Sequence, residues 1–494
     1  MRTCGVWVQG QLCHVFCAIR AVTRSMDSAR LRVAIVGGGV TGATAASCLA
    51  SELKALCDVT LFDQGRGLGG RCSHRKIRVK DGVRLPADAD EASFAWDHGC
   101  QFFRADTAEF RENLLKPWLQ QGLASKWAGR FGCVGEGCPD FFGVGPTAQD
   151  VYCGTGGMHS IVCGAISAAV ETAKEAGGVV DVQVGVRVGG LECVEYEGMT
   201  KWQLHGVSGS LAYHDSKHNN EEEVMAARAA NILGTFDFVI LTDASAAMDG
   251  WHRASAGLPR DFIDSVAKRV RDRVRVALFT AMVVFTKPVP TDLDAITFKD
   301  PTIWFAARTA SKPGASRRAL AGECWTLVST AHYATNEIQR VPMQDPDTGV
   351  FIPQDPEYLN TPARDLIMAF EAALKVEAPL SVSYMTAQRW GSAMPAPVHL
   401  AGYDHNGHSE ASREILGIWY DSSQDLRLVP ESTMAPGDGG ADFLHDPQSQ
   451  LLYAGDFCSL GPPGVESAAL SGLHAAKWVA QEVSLAKRDG RKTS

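Results

Sequence analysis

The 494-residue chain has no Cys-x-x-Cys pair among its 14 cysteines; the closest spacings are Cys13 to Cys17 and Cys133 to Cys138. A zinc site needs clustered Cys and His ligands, and a disulfide scaffold needs a short cysteine-dense chain, so the expectation is scattered reduced thiols and no metal. A bilayer-spanning run is also missing. The best uncharged window, 33–51, is broken by Gly37, Gly38, Gly39 and Gly42, so no transmembrane segment is read. Basic residues (47) fall short of acidic ones (56), giving a net charge of −9 with no compensating basic block. That argues against nucleic acid or an anionic membrane as partner. No internal repeat is present. What the chain has is an ordinary 45% of hydrophobic residues, enough for a sizeable core, and 49 glycines, about 10% against a typical ~7%. Residues 1–26 contain Arg2, Arg20 and Arg24 but no acid. They read equally as an organelle transit peptide or as an overextended start before Met26, and an intracellular location, cytoplasmic or organellar, is expected.

The glycines cluster where a backbone would meet a long ligand. Residues 32–36 form a short β-branched run that leads into Gly37-Gly38-Gly39-Val40-Thr41-Gly42, followed by helix formers from Ala43 to Lys54. In this Gly-x-Gly-x-x-Gly pattern Gly37 permits the tight turn, Gly39 lets a pyrophosphate approach the backbone, and Gly42 lets helix and strand pack closely. The amides opening the helix at Val40 and Thr41 then face the phosphates. A second strand, 58–63, ends in Asp63, 21 residues after Gly42, near the spacing at which an acid accepts hydrogen bonds from a ribose. A second glycine loop follows at once, with Gly69, Gly70 and Arg71, and then Trp96-Asp97-His98-Gly99-Cys100-Gln101-Phe102-Phe103. Gly69 and Gly70 admit a cofactor beneath the backbone where a side chain would collide. Read from the residues alone, 96–103 either lines a planar ring or is a buried strand end.

Asp63, Gly69-Gly70-Arg71 and Asp97-x-Gly99-x-Gln101 together resemble the FAD-binding amine oxidase superfamily. So does the C-terminal run Gly455-Asp456 followed by Gly464-Val465-Glu466-Ser467. Within it, Gln388-Arg389-Trp390 and Tyr152-x-Gly154-x-x-Gly157-Met158 are most similar to the renalase-like branch. The resemblance implies FAD as cofactor, Asp456 on the ribityl chain and the helix start at Gly464, Val465 and Glu466 beside the reduced flavin, where amides favour developing negative charge. Glu466 also reads as an ordinary first-turn acid. The hairpin that includes Val186 resembles the small sheet that contacts adenine. Trp390, Gln101 and His98 are the candidate catalytic residues of a ring-facing cavity, with Phe102 and Trp304 beside them. Lys312, in Ser311-Lys-Pro-Gly314, reads as a surface-loop residue.

The fold expected is α/β: a Rossmann-like FAD-binding domain of glutathione-reductase-2 or p-hydroxybenzoate hydroxylase type, interleaved with an α+β substrate domain holding a mostly antiparallel sheet. The boundaries read are 1–30 for an N-terminal extension, 31–105, 152–260 and 445–487 for the FAD-binding domain, and 106–151 with 261–444 for the substrate domain. Parallel strands are expected at 33–36, 59–63, 236–242 and 451–454, antiparallel ones at 181–194 and 201–207, and a substrate-side sheet from 274–286, 324–330 and 380–390. Residues 208–228, 339–362 and 430–447 read as a loop and two insertions. The implied activity is hydride removal from a small molecule, with dioxygen as acceptor and hydrogen peroxide as product. The renalase-like resemblance implies dihydronicotinamide isomers first as substrates, and Pro462 and Pro463, standing where the superfamily's amine oxidases commonly place an aromatic, speak against a simple amine. An amine, polyamine or polyene oxidase, and a flavin-loaded interaction or sensing protein, are the alternatives.

Overall fold

The computed structural model describes residues 30–80, 83–85, 93–136, 150–196, 199–208, 231–271, 275–315, 322–342, 355–395, 442–459 and 463–488. Residues 1–26, the loop beyond Ser208 and most of 430–447 lie outside the described residues.

Two six-stranded sheets organise the chain. The first runs Phe443–Asp446, Leu451–Ala454, Phe238–Leu241, Leu31–Val36, Cys57–Asp63, Val179–Val184. Neighbours are parallel except the outermost antiparallel pair. Parallel strands between two packed layers must be apolar on both faces, and these are. Val33, Ile35, Val59, Leu61, Phe238 and Ile240 belong to the core beneath the helices Val40–Leu53, His159–Glu175 and Val465–Arg488. Ala34, Val36, Phe62, Val239 and Leu241 pack the other way, toward the three-stranded sheet of Val186–Tyr196, Met199–Ser208 and Ile232–Phe236.

All four expected parallel strands are present, and the structure adds to them. Residues 181–194 are not one antiparallel strand. Val179–Val184 is a fifth parallel strand beside Cys57–Asp63, and Gly185, at φ +69°, turns the chain into the hairpin. An edge strand with one face in solvent alternates in polarity just as a hairpin strand does, so the pattern does not separate the two. Phe443–Asp446, inside the supposed insertion 430–447, supplies the antiparallel edge.

The second sheet runs Val382–Pro395, Arg275–Phe285, Glu323–Ser329, Ile303–Arg308, Ala295–Phe298, Phe131–Val134 and is antiparallel but for its last pair. Helices Ala331–Arg340 and Pro356–Ala373 cover one face, where Phe285, Phe298 and Trp325 surround Phe370. Those helices overlap 339–362, which is therefore not simply an insertion. Asp355 caps the second by accepting from the Glu357 amide at 2.9 Å, and Pro356 stands at its first position, where proline starts helices. Cys133, in the edge strand, is disulfide-bonded, against the expectation of reduced thiols throughout; the other nine described cysteines are free. Among the described residues no helix is long and apolar enough to cross a membrane.

The C-terminal helix packs on Val40–Leu53 through small residues, with Ala475, Ala476 and Val479 fully buried. A Cβ on Gly472 would stand 2.2 Å from the Thr41 carbonyl oxygen. Alanine in a helix interior normally gains up to about 1 kcal/mol over glycine, but overpacking against fixed backbone costs about 1–3 kcal/mol. Gly472→Ala is therefore expected to lower the thermal midpoint, and a raised midpoint would show that the two helices yield.

Candidate functional site

The glycine turn is built by hydrogen bonds between segments far apart in sequence. Gly37 takes φ +116°, donates to the Phe62 carbonyl at 2.8 Å, and has room for no side chain, since a Cβ would meet Thr242 Oγ1 at 2.3 Å. Gly42 is equally confined, 2.0 Å from the Gly37 carbonyl oxygen. Asp63 accepts from the Gly38 amide at 2.7 Å with one oxygen and from the Gly65 amide at 2.6 Å with the other. Burial raises its pKa, and the two amides oppose the rise. The second glycine loop is tied on by Gly69 N–H donating to the Gly38 carbonyl at 2.9 Å. Gly39 is different: it has ordinary extended backbone at φ −85°, and a Cβ there would meet nothing within 4 Å. The helix it starts has no side-chain cap and no acid in its first turn, so its first amides stand bare before open space. Val40 and Thr41, buried, provide two of them.

Arg71 crosses to the C-terminal segment. Its guanidinium makes a bidentate pair with Asp456, at 2.7 and 2.5 Å, donates to the Ala393 carbonyl at 3.3 Å and lies 5.4 Å from the Phe457 ring centroid. Burial disfavours its charge, but Asp456 more than restores it. Gly455 is held by the Ser471 hydroxyl at 2.8 Å. Gly464, at φ +141°, would again set a Cβ in open space, with Val465 buried beside it. The Glu466 carboxylate reaches away, accepting from the amides of Asp106 at 2.6 Å and Thr107 at 2.8 Å. Val186 is buried with Val36 and Phe62.

The densest polar cluster surrounds Asp97, a residue quoted in the motif but not selected as a site residue. One oxygen meets His74 Nδ1 at 3.0 Å and the Met158 amide at 2.8 Å; the other accepts from Lys312 Nζ at 3.0 Å. Burial would raise its pKa, yet Lys312, His74 and the amide hold it well below the usual carboxylate range. Lys312 is only 7% exposed and also donates to Gln101 Oε1 at 3.0 Å. The expectation of a surface-loop lysine is thus overturned. Pro313 accepts from the Gly156 amide, and Gly314 at φ +68° presses on the Gly154–Gly157 turn, so Ser311-Lys-Pro-Gly314 is plugged inward. A lysine beside Pro and Gly carries the composition of an exposed turn; the one available signal was Asp97 itself, a carboxylate between Trp96 and Gly99 that needs a cation if buried.

The three candidate catalytic residues gather here. Trp390 Nε1 donates to the His98 carbonyl at 2.7 Å, the two rings lie 5.5 Å apart, and a Cβ on Gly99 would touch Trp390 at 3.3 Å. Gln101 spends its amide on the Asp97 and Gly99 carbonyls, at 2.6 and 3.0 Å, and its oxygen on Lys312. Phe102 turns to Trp127 and Phe305, at 6.2 and 6.0 Å. Trp304 packs, half-buried, against the same core. His98 contacts Ser73 Oγ at 3.3 Å through Nε2, while its buried Nδ1 has no hydrogen-bond partner. Burial and the charge of Arg75 lower its pKa to about 4, so it is neutral at pH 7.

This cluster makes the fold acid-sensitive. His98 has an ordinary value of 6.5 and a folded value of about 4, so the stability tied to its neutral form is complete above pH 6.5 and is lost as pH falls toward 4. Asp97, depressed in the fold, contributes above the ordinary carboxylate range and loses its contribution only below it. Denaturant unfolding followed from pH 7 to 4 should show a steeper loss in the wild type than in His98→Gln. Equal slopes would contradict the assignment. Lys312→Met leaves a buried carboxylate short of its cation and should cost about 3–5 kcal/mol at pH 7, much of it restored by Asp97→Asn in the same chain.

A family model described as an NAD(P)-binding Rossmann-like domain matches residues 35–110, the stretch that carries the glycine turn, Asp63, the second glycine loop and Asp97. Three solved structures are similar to this chain at 11% identity, each aligned over its whole length. Cyclohexylamine oxidase from Brevibacterium oxydans IH-35A aligns over 92% of this chain with a TM-score of 0.49. A protein described as a protoporphyrinogen oxidase from Exiguobacterium sp. 255-15 gives the same two values, and an oxidoreductase from Methanosarcina mazei aligns over 90% with a TM-score of 0.44. The sheet order, the bare helix start and the matched family model together make the fold α/β with a Rossmann-like nucleotide-binding part.

Proposed function

We propose that this protein is a FAD-dependent oxidoreductase of the amine oxidase superfamily, renalase-like in branch, acting on a small dihydronicotinamide-type substrate with dioxygen as acceptor. The observation that carries this reading is the open space before Gly39 and Gly464, two cradles with bare backbone joined by Asp63, Arg71 and Asp456. Bound there, a flavin supplies hydride acceptance and reoxidation by dioxygen to hydrogen peroxide.

The chain's own residues would act by holding and orienting. The amides from Gly39 to Thr41 meet a pyrophosphate at the positive end of the helix. Asp63 would hold a ribose, Arg71 and Asp456 would hold the sugar-alcohol chain, and the amides after Gly464 would favour negative charge on the ring. The parallel sheet and the adenine-side hairpin form the cofactor domain, and the second sheet brings Trp390 to it. His98, neutral at pH 7, stands with its ring 5.5 Å from that of Trp390, and the two form a flat uncharged wall. That pairing suits an uncharged planar ring better than an ammonium group, which favours the dihydronicotinamide reading over an amine.

The purified protein is expected to be yellow. Anaerobic mixing with dihydronicotinamide isomers should bleach the flavin, whereas bleaching by amines alone moves the assignment to the amine branch. A colourless protein that binds NAD overturns the flavin reading. Because Gly39 has unstrained backbone and free space, Gly39→Val should fold with an unchanged midpoint in the cofactor-free state yet lose bound FAD. Stoichiometric FAD in that variant would contradict the assignment of the turn.

A further inference from the structure

Two thiols that the proposed reaction does not use meet between the cofactor-facing loops. Cys72 ends the short turn Gly70–Cys72, and Cys100 lies between Gly99 and Gln101. The Cys100 amide donates to the Arg71 carbonyl at 2.7 Å, and a Cβ on Gly99 would stand 2.1 Å from that same oxygen. No side chain therefore separates the two backbones. The two thiols lie close enough to shift each other's titration, and the Cys100 thiol donates to the Phe102 carbonyl at 3.2 Å. Cys72 is buried at 4% exposure while Cys100 is half-buried, so only the second is within reach of a small reagent.

The pair is chemically unequal. The Cys100 thiol, together with burial, pushes the Cys72 thiol up. The Cys72 thiol pulls Cys100 down, with the charges of Lys312 and Arg71 adding to that against burial and the Asp97 carboxylate. Exposure sets the roles: Cys100, the half-buried sulfur, is the one a peroxide reaches first and attacks as its thiolate, and the buried Cys72 is the waiting partner. Cys153, whose sulfur lies 3.4 Å from the Gln101 carbonyl oxygen, is pushed up by burial and offers no thiolate.

We infer that Cys72 and Cys100 form a dithiol that a hydroperoxide oxidises to a disulfide, stapling the Gly69–Cys72 turn to the Gly99–Gln101 loop. The Cys100 sulfur attacks one peroxide oxygen, the O–O bond breaks, and the departing oxygen leaves as water, giving a sulfenic acid. The Cys72 sulfur then displaces the sulfenic oxygen as a second water. Two thiols lose two electrons and two protons, and hydrogen peroxide takes up both to become two waters. Peroxide added to the purified protein is enough, so the inference stands apart from the proposed oxidase activity, which would merely make the oxidant nearby.

The test is peptide mapping of the full-length protein after hydrogen peroxide, with alkylation under denaturing conditions before and after dithiothreitol. The expected product is a linked pair of peptides containing Cys72 and Cys100, lighter by two hydrogens than the reduced pair and separated again by dithiothreitol. Cys72→Ser should leave Cys100 as a sulfenic acid trapped by dimedone, and Cys100→Ser should leave Cys72 unreacted. Full alkylation of both cysteines after peroxide, or linkage of Cys100 to Cys153, overturns the proposal. The wild-type map decides the matter even where a variant does not fold.

Discussion

A single buried carboxylate ties three separate parts of the chain together. Asp97 ends the strand Ser93–Asp97, His74 begins the strand paired with it, Met158 precedes the helix His159–Glu175, and Lys312 arrives on the turn after Ile303–Arg308. An ion removed from water without partners costs several kcal/mol, and one that loses a single partner costs nearly as much. The arrangement is therefore worth little until all three partners have arrived. Lys312 is under the same constraint, because its buried charge is answered by Asp97, the Gln101 oxygen and the Trp127 ring, whose centroid lies 5.5 Å away. The loop that carries Gly99, Gln101 and Phe102 is thereby held from both ends.

The same logic recurs along the cofactor-facing edge, with a different outcome. Asp63 and Glu466 each satisfy two backbone amides, and Arg71 and Asp456 satisfy each other. These charges knit loops from separate parts of the chain, while the surfaces left open are bare backbone at Gly39 and Gly464. Fixed amides cost no reorganisation when an anionic group arrives. Charge here builds the frame, and the peptide groups are what it presents.

Much of this was legible in the sequence because its signals are local. Gly42 and Asp63 lie within one strand–turn–helix–strand unit and answer to groups near in sequence, the Gly37 carbonyl and the Gly38 and Gly65 amides, whereas Gly37 fits the same local motif although the distant Thr242 is what confines it. The small face at Ala468, Gly472, Ala475 and Ala476 is a local signal of the same kind, since helical spacing alone lines those residues up. Lys312 was not legible, because its environment is made by Asp97 and Gln101, more than two hundred residues away. Local composition marks Ser311-Lys-Pro-Gly314 as a turn, correctly, but says nothing of what the turn is pressed into. The strands Val179–Val184 and Phe443–Asp446 were misread on similar grounds. An edge strand takes its partner from elsewhere, and the partner decides whether it is parallel.

The site is consequently a property of the whole fold rather than of one unit. Residues 37–42, 63–72, 97–101, 312, 390, 455–459 and 463–465 come together only when both sheets are complete, and most of the ties between them are charges or amides that would be unsatisfied in a partly formed structure. Contacts of such sequence separation form late and raise the entropic barrier to folding. They also leave few stable halfway states, since a buried Asp97 without Lys312 or an Arg71 without Asp456 is worse than either group in water. A disturbance on the Lys312 side therefore reaches Gln101 through one hydrogen bond and Gly99 through the next. Substitutions near Lys312 should for that reason be read on binding at the glycine turns as well as on stability.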